Sequence, residues 1–150
     1  PTKNLLSNFF IASKVSLNSL KYSGISAFSQ NPGRFGFSHI RGHGLFCDDM
    51  GIYQETPEGE SEYNFTYLDR VMDSYISLGL RPFLELGFMP QKMASGTQTI
   101  FYWKGNTTPP ESYKKWTDMV TALLSHLCER YTADEVVTWP ISFCTSASCS

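Results

Sequence analysis

The stretch "HIRGHGLFCDDMGIYQE", His39 to Glu55, sets Arg41 and His43 two residues apart, ahead of a glycine-containing turn that carries the neighbouring carboxylates Asp48 and Asp49. Two residues is the repeat of a strand, so His39, Arg41 and His43 point to one side while Ser38, Ile40 and Gly42 point to the other. An arginine presents a planar fork of donors that matches a carboxylate. An imidazole gives or takes a proton near neutral pH. Glu85, in "RPFLELGF", shares its face with Phe83 and Gly87. If the two strands are neighbours with these faces on one side, Arg41 and Glu85 form a buried ion pair that fixes a pocket wall. The same spacing is compatible with a purely structural pair and with His43 as a satisfied core histidine. Asp48 and Asp49, adjacent in a turn, are expected to hydrogen-bond the loop backbone rather than flank a reacting bond from two sides.

The elements that must position these residues alternate along the chain. After the strand "FSHIRGHG", the segment "NFTYLDRVMDSYISLGL" places Leu68, Val71, Met72, Tyr75, Ile76 and Leu78 at helical spacing, with Gly79 as its stop. "RPFLELGF" follows as a strand opened by Pro82 and nearly all apolar, as in a buried parallel sheet. A long loop, "MPQKMASGTQTIFYWKGNTTPP", leads through Pro109 and Pro110 to a second helix from about Glu111 to Tyr131. Trp116, Met119, Leu123, Leu124 and Leu127 form its buried stripe. "DEVVTWPI" reads as a further strand. This rhythm is that of βαβ units in an α/β fold with a parallel sheet. Long strand-to-helix and short helix-to-strand connections put the working loops at the C-terminal ends of the strands.

Composition narrows the classes. A chain of 150 residues, 41% hydrophobic and 15% aromatic, buries a core and reads as one domain or part of one. A net charge of -2 without a dense Lys/Arg run argues against nucleic acid as a partner. No apolar run is long enough to span a membrane. The N-terminal text lacks the ordered basic, apolar and cleavage regions of a leader, so a cytoplasmic location is expected. Cys47, Cys128, Cys144 and Cys149 show no metal-ligand spacing and are expected to be reduced thiols, and neither metal nor other cofactor is expected. The sequons at Asn64 and Asn106 carry meaning only with secretion.

The segments "RGHGLFCDDMGIY", "YNFTYLDRVMDSY", "RPFLELGFMP", "ASGTQTIFYWKGN" and "ERYTADEVVTW" resemble, in order and with few gaps, the β-xylosidases of glycoside hydrolase family 39, whose more distant relatives include α-L-iduronidases. The similarity runs from about Phe35 to Ile141. It implies the N-terminal part, about four βα units, of a (β/α)8 TIM barrel that hydrolyses xylosides with retention of configuration. It further implies that Arg41 and His43 lie in the sugar-binding subsite, that Phe101 and Trp103 give that subsite an apolar wall, and that Glu85 supports Arg41. As anchors of the loop, the two aromatics would instead belong to the core.

The departures carry as much weight. In the family, the strand that begins as "EVVTW" continues to an Asn-Glu-Pro whose Glu is the general acid/base. Here the three positions are Thr145, Ser146 and Ala147, and the nucleophilic Glu belongs to a later strand, so no catalytic residue is expected in this chain. Residues 142–150, "SFCTSASCS", read as a tail outside the family pattern, better explained by a frameshift or truncated gene model than by gradual divergence. Residues before Phe35 match poorly. The expectation is a fragment inactive alone that binds a xyloside or related glycoside weakly and self-associates through an open barrel edge. The alternative is a non-catalytic sugar-sensing barrel domain of a transcription regulator.

Overall fold

The computed structural model describes residues 38–42 and 44–143. His43, the first 37 residues and the tail cysteines Cys144 and Cys149 lie outside the described residues. Three parallel strands form the central sheet: β1 (His39–Gly42), β4 (Arg81–Leu86) and β7 (Ile141–Phe143), with β4 in the middle. Two helices make the connections, α1 (Thr66–Ser77) from β1 to β4 and α2 (Tyr113–Tyr131) from β4 to β7. These are two βαβ units. The expectation of about four βα units takes in the first 37 residues, which lie outside the described ones.

Each helix forms where its apolar residues fall. Leu68, Val71, Met72 and Tyr75 line one face of α1 and are buried, whereas Ile76 emerges on the exposed side. Asn64 Oδ1 accepts the Thr66 backbone N–H at the helix entry. At the exit Gly79 takes φ 73°, Gly79 N–H bonds the carbonyl of Ile76 and Leu80 N–H that of Tyr75, which is the Schellman arrangement only a left-handed residue closes cheaply. Helix α2 is capped by Ser112, whose hydroxyl accepts from Lys115 N–H, and buries Met119, Leu123 and Leu127 one turn apart. Together with Leu84 and Leu86 of β4 these side chains make one core.

The strand expected over "DEVVTWPI" is not there. A short helix α3 (Ala133–Val136) and a turn occupy that text, and the strand lies later, at Ile141–Phe143, pairing Leu84, Glu85 and Leu86 with Ile141, Ser142 and Phe143. The β-branched run suggested extension, but the burial follows the helical period: Val136 and Trp139 are buried while Val137 and Thr138 face out. Trp139 Nε1 donates to Glu135, which also accepts from Arg81 and so ties this turn to the start of β4. Pairing of Ser142 and Phe143 extends the sheet two residues into the text that looked foreign to it.

Two hairpins escape the sequence reading. Strands β2 (Tyr53–Glu55) and β3 (Ser61–Tyr63) lie antiparallel in the first strand-to-helix connection, and β5 (Thr99–Ile100) and β6 (Gly105–Asn106) in the second. Lys115 of α2 holds the first hairpin through Glu55 Oε1 at 2.8 Å and the Gly59 carbonyl at 3.1 Å. Lys115 and the Tyr53 hydroxyl keep the Glu55 carboxyl below its usual range.

On the outer surface α1 and α2 are clasped by side chains. Arg130 meets Asp73 at 2.7 Å, Tyr131 donates to Asp73 at 2.6 Å, and His126 sits 2.6 Å from Asp69 with its ring stacked on Phe65. The Arg130 guanidinium, and then the Tyr131 hydroxyl, hold the Asp73 carboxyl below its ordinary 3.8. A carboxylate depressed on folding contributes stability that is complete above its unfolded value and is lost as pH falls through the folded one. Thermal unfolding followed from neutral pH downward is therefore expected to show a steeper fall in Tm below about pH 4 for the native chain than for Asp73→Asn.

Candidate functional site

The alternation of β1 and β4 places Arg41 and Phe83 directly opposite one another, with Glu85 two residues further on the same face. Arg41 Nη2 donates to Glu85 Oε1 at 3.0 Å. The guanidinium lies over the Phe83 ring, 5.1 Å from its centroid. Glu85 is 1% exposed and Arg41 is 51% exposed, so the pair runs from the interior of the sheet to its surface. Such a geometry holds the arginine by one edge and leaves the rest of the head group half in solvent.

Past the ends of these strands the chain is stitched by backbone bonds. Leu45 and Phe46 N–H donate to the carbonyls of Glu85 and Gly87, and Met89 N–H to that of Asn106. Asp48 accepts from Gln91 N–H with both carboxylate oxygens, at 3.2 and 3.3 Å, and so joins the loop after β1 to the loop after β4. That is the loop-bracing role its place in a turn suggested. Cys47 is a free thiol whose burial pushes its pKa up to about 11, which leaves it a poor nucleophile at neutral pH.

The turn "FYWK" of the second hairpin carries both aromatics, Phe101 and Trp103. Phe101 and Trp103 stack on each other with ring centroids 4.5 Å apart, and Tyr102 meets Trp103 edge-on at 4.8 Å. Phe101 is 41% exposed and Trp103 half-buried, so the pair leaves part of its rings at the surface. Two non-glycine residues of this turn, Phe101 and Lys104, take positive φ of 62° and 55°. Each costs about 1–2 kcal/mol, which the stacking and a turn bond from Lys104 N–H to the Phe101 carbonyl at 3.1 Å help to offset.

The structure thus brings the expected residues together as two pairs, Arg41 with Glu85 and Phe101 with Trp103. His43 lies outside the described residues. Sequence reasoning missed Phe88 and Asn106. Phe88 is buried and meets Phe101 edge-on at 6.0 Å, 74° between planes. Asn106, read only as a sequon, is 3% exposed; its amide donates to the Gly96 carbonyl and its oxygen accepts from Thr108 N–H and Oγ1, which holds the base of the hairpin. The signal available for this packing was Gly105 inside a strand, since glycine there marks a close approach. Beside these residues a cavity of about 460 Å³ opens at the ends of β4 and β7, lined by Phe46, Leu86, Met89, Trp116 and Phe143 among others. Among the described residues no cluster of His, Cys, Asp and Glu has the geometry to hold a metal ion. No described helix is long and apolar enough to cross a membrane.

A parallel sheet backed by two helices, with a salt-bridged strand end and an aromatic hairpin in the loops that follow the strands, defines an α/β protein built from βαβ units whose long loops lie at the C-terminal ends of its strands. Residues 19–145 match the model of Glycosyl hydrolases family 39, and the chain belongs to that family. It is 58% identical over 109 residues to a β-xylosidase of Geobacillus stearothermophilus, an alignment that takes in 71% of this chain and 22% of that protein. Its fold superposes on the crystal structure of a monomeric β-xylosidase from Caulobacter crescentus with a TM-score of 0.72 at 37% identity, over 79% of this chain and 24% of the other. A bacterial orthologue of human α-L-iduronidase is a more distant match, with a TM-score of 0.51 at 26% identity over 77% of this chain and 16% of the other. The chain therefore spans about a quarter or less of the length of these relatives.

Because Glu85 is buried, removing its arginine partner leaves a carboxylate in the sheet without that donor. Arg41→Met is expected to cost about 1–3 kcal/mol in urea unfolding, below the 3–5 typical of fully buried pairs because the guanidinium is half in water.

Proposed function

We propose that this chain is the N-terminal part of a retaining glycoside hydrolase of β-xylosidase type, that it carries sugar-positioning groups, and that it does not hydrolyse xylosides by itself. The observation that carries the reading is the pairing of Arg41 with Glu85 at the strand ends, inside the span matched by the family. Held at one edge by Glu85 and Phe83, Arg41 keeps donors turned toward solvent that suit sugar hydroxyls. His43 is proposed beside it from the family pattern. Phe101 and Trp103 offer stacked rings against which the C–H face of a pyranoside packs. The β-xylosidase relatives support xylosides as the substrate class.

Retaining hydrolysis needs two carboxyl groups roughly 5–5.5 Å apart, one to attack the anomeric carbon and one to give and then take the proton. Ser146 stands where the family's general acid/base Glu is expected. A hydroxyl there has no acidic proton to lend the leaving group at neutral pH, a deficit of roughly 10² to 10⁴ in rate. Asp48 and Asp49 do not substitute for the pair: they are adjacent in one turn, and Asp48 is engaged with Gln91.

Purified 150-residue chain is expected to release no nitrophenol from an aryl β-xyloside above background, and to bind xylose only in the millimolar range or more weakly. Turnover that persists in this chain and disappears in an Asp48→Asn, Asp49→Asn variant would overturn the reading. Saturation at micromolar xylose in calorimetry would overturn the affinity.

The sheet adds a proposal about assembly. Among the described residues β1 and β7 each pair with β4 alone, and Ile141 and Phe143 are 41% and 52% exposed. Unpaired strand edges beside exposed apolar side chains favour association. Sedimentation velocity is expected to show a concentration-dependent shift from monomer to larger species, reduced by Phe143→Lys; a monomer at all concentrations would refute it.

A further inference from the structure

The aromatic wall needs a fixed position relative to Arg41 to serve any ligand, and a two-by-two-residue hairpin does not supply that by itself. We propose that Phe88 is the residue that positions the Phe101/Trp103 wall, by registering the β5–β6 turn to the end of β4. The proposal rests on the reading of Phe101 and Trp103 as a sugar wall.

Phe88 follows Glu85 by three residues and is 5% exposed. Its ring fills the space where two glycines lack side chains. A Cβ on Gly105 would stand 2.7, 2.8 and 3.0 Å from the Phe88 Cγ, Cδ2 and Cδ1 atoms. Three ring atoms at nearly equal distance mean that the ring lies face-on over the Gly105 backbone. On another side a Cβ on Gly44 would lie 3.4 Å from Cδ2. The edge-to-face contact with Phe101 completes the enclosure. One ring thus touches the loop after β1, strand β6 and the aromatic turn.

The backbone on either side of the ring is hydrogen-bonded to both neighbouring segments. Gly87 carbonyl accepts from Phe46 N–H at 2.8 Å, and Met89 N–H donates to the Asn106 carbonyl at 3.0 Å. The ring's origin is therefore tied to the loop after β1 and its destination to β6. Displacing it would move Phe101, whose φ of 62° lies in the small left-handed region and leaves it little room to compensate. An ordinary core residue contributes stability alone. A positioning residue has in addition an effect on binding that is expressed through Phe101, and two groups acting through one contact are non-additive.

The test is a double-mutant cycle on the 150-residue chain with xylose as the probe, read by ligand-observed NMR titration at a temperature where every variant is folded by far-ultraviolet circular dichroism. Phe101→Ala is expected to weaken xylose binding about three- to ten-fold, the range of one aromatic contact. Phe88→Leu, which keeps an apolar group but loses the ring, is expected to weaken it to a similar degree, and the double variant to be no weaker than Phe101→Ala. Leu123→Ala, a core truncation on α2, serves as the control: it lowers Tm and leaves affinity unchanged. Should Phe88→Leu fail to fold, Gly105→Ala presses a methyl group against the retained ring and is expected to give the same non-additive loss. Affinity unchanged in Phe88→Leu and Gly105→Ala, or losses that add in full to that of Phe101→Ala, would overturn the proposal while leaving the sugar wall intact. Unchanged affinity in Phe101→Ala, or no detectable binding of xylose by the native chain, would overturn the wall itself and the positioning role with it.

Discussion

A carboxylate inside a parallel sheet is the constraint around which this structure is arranged. Glu85 sits in the central strand at 1% exposure, where an unpaired charge would cost several kcal/mol. The cost falls when a cation arrives on the same face, at a register that brings it within hydrogen-bonding distance. Arg41 does so because β1 and β4 run parallel with Arg41 opposite Phe83, two residues short of Glu85. A shift of one residue would send the guanidinium to the helix side of the sheet and leave the carboxylate without it. The ion pair therefore specifies register as well as occupying the site.

The remaining architecture can be understood as what keeps that register. The apolar stripes of α1 and α2 cover the face of β4 that carries Leu84 and Leu86, and the charged clasp of Asp69, Asp73, His126, Arg130 and Tyr131 closes the two helices over it. The exposed members of that clasp contribute little individually. Their effect is to orient helices whose burial supplies the larger part of the stability. The hairpins, by contrast, have small cores and depend on bonds to their neighbours, Lys115 to Glu55 for the first and Asn106 with Thr108 and Gly96 for the second.

In the loops beyond the strands, residue type alone does not set the chemistry. Asp48, adjacent to Asp49 in a turn, spends both oxygens on one backbone N–H across to the next loop. Cys47 lies beside a glycine turn, where burial raises its pKa and suppresses the thiolate. Phe88, an unremarked residue in the sequence, turns out to touch three segments at once. In each case the environment set the role, because ionisation and access depend on what surrounds the group.

The sequence by itself determined the features that repeat with a local period. Two-residue alternation put Arg41 and Glu85 on one face, helical spacing located α1 and α2, and Gly79 marked the end of α1, since left-handed backbone there is costly for any other residue. Family membership was equally legible, because it resides in the order of the residues. Tertiary structure decided what has no local period. "DEVVTWPI" contains strand-forming residues, but burial of Val136 and Trp139 on one side turned it into a helical turn and moved the strand to Ile141–Phe143. Strands of two residues, such as β5 and β6, are too short to show alternation and exist only because they pair. The meeting of Phe88 with Gly44, Gly105 and Phe101 joins positions far apart in the chain. Only the packed fold brings them together, because contact between distant segments is a property of packing and leaves no pattern in either segment alone.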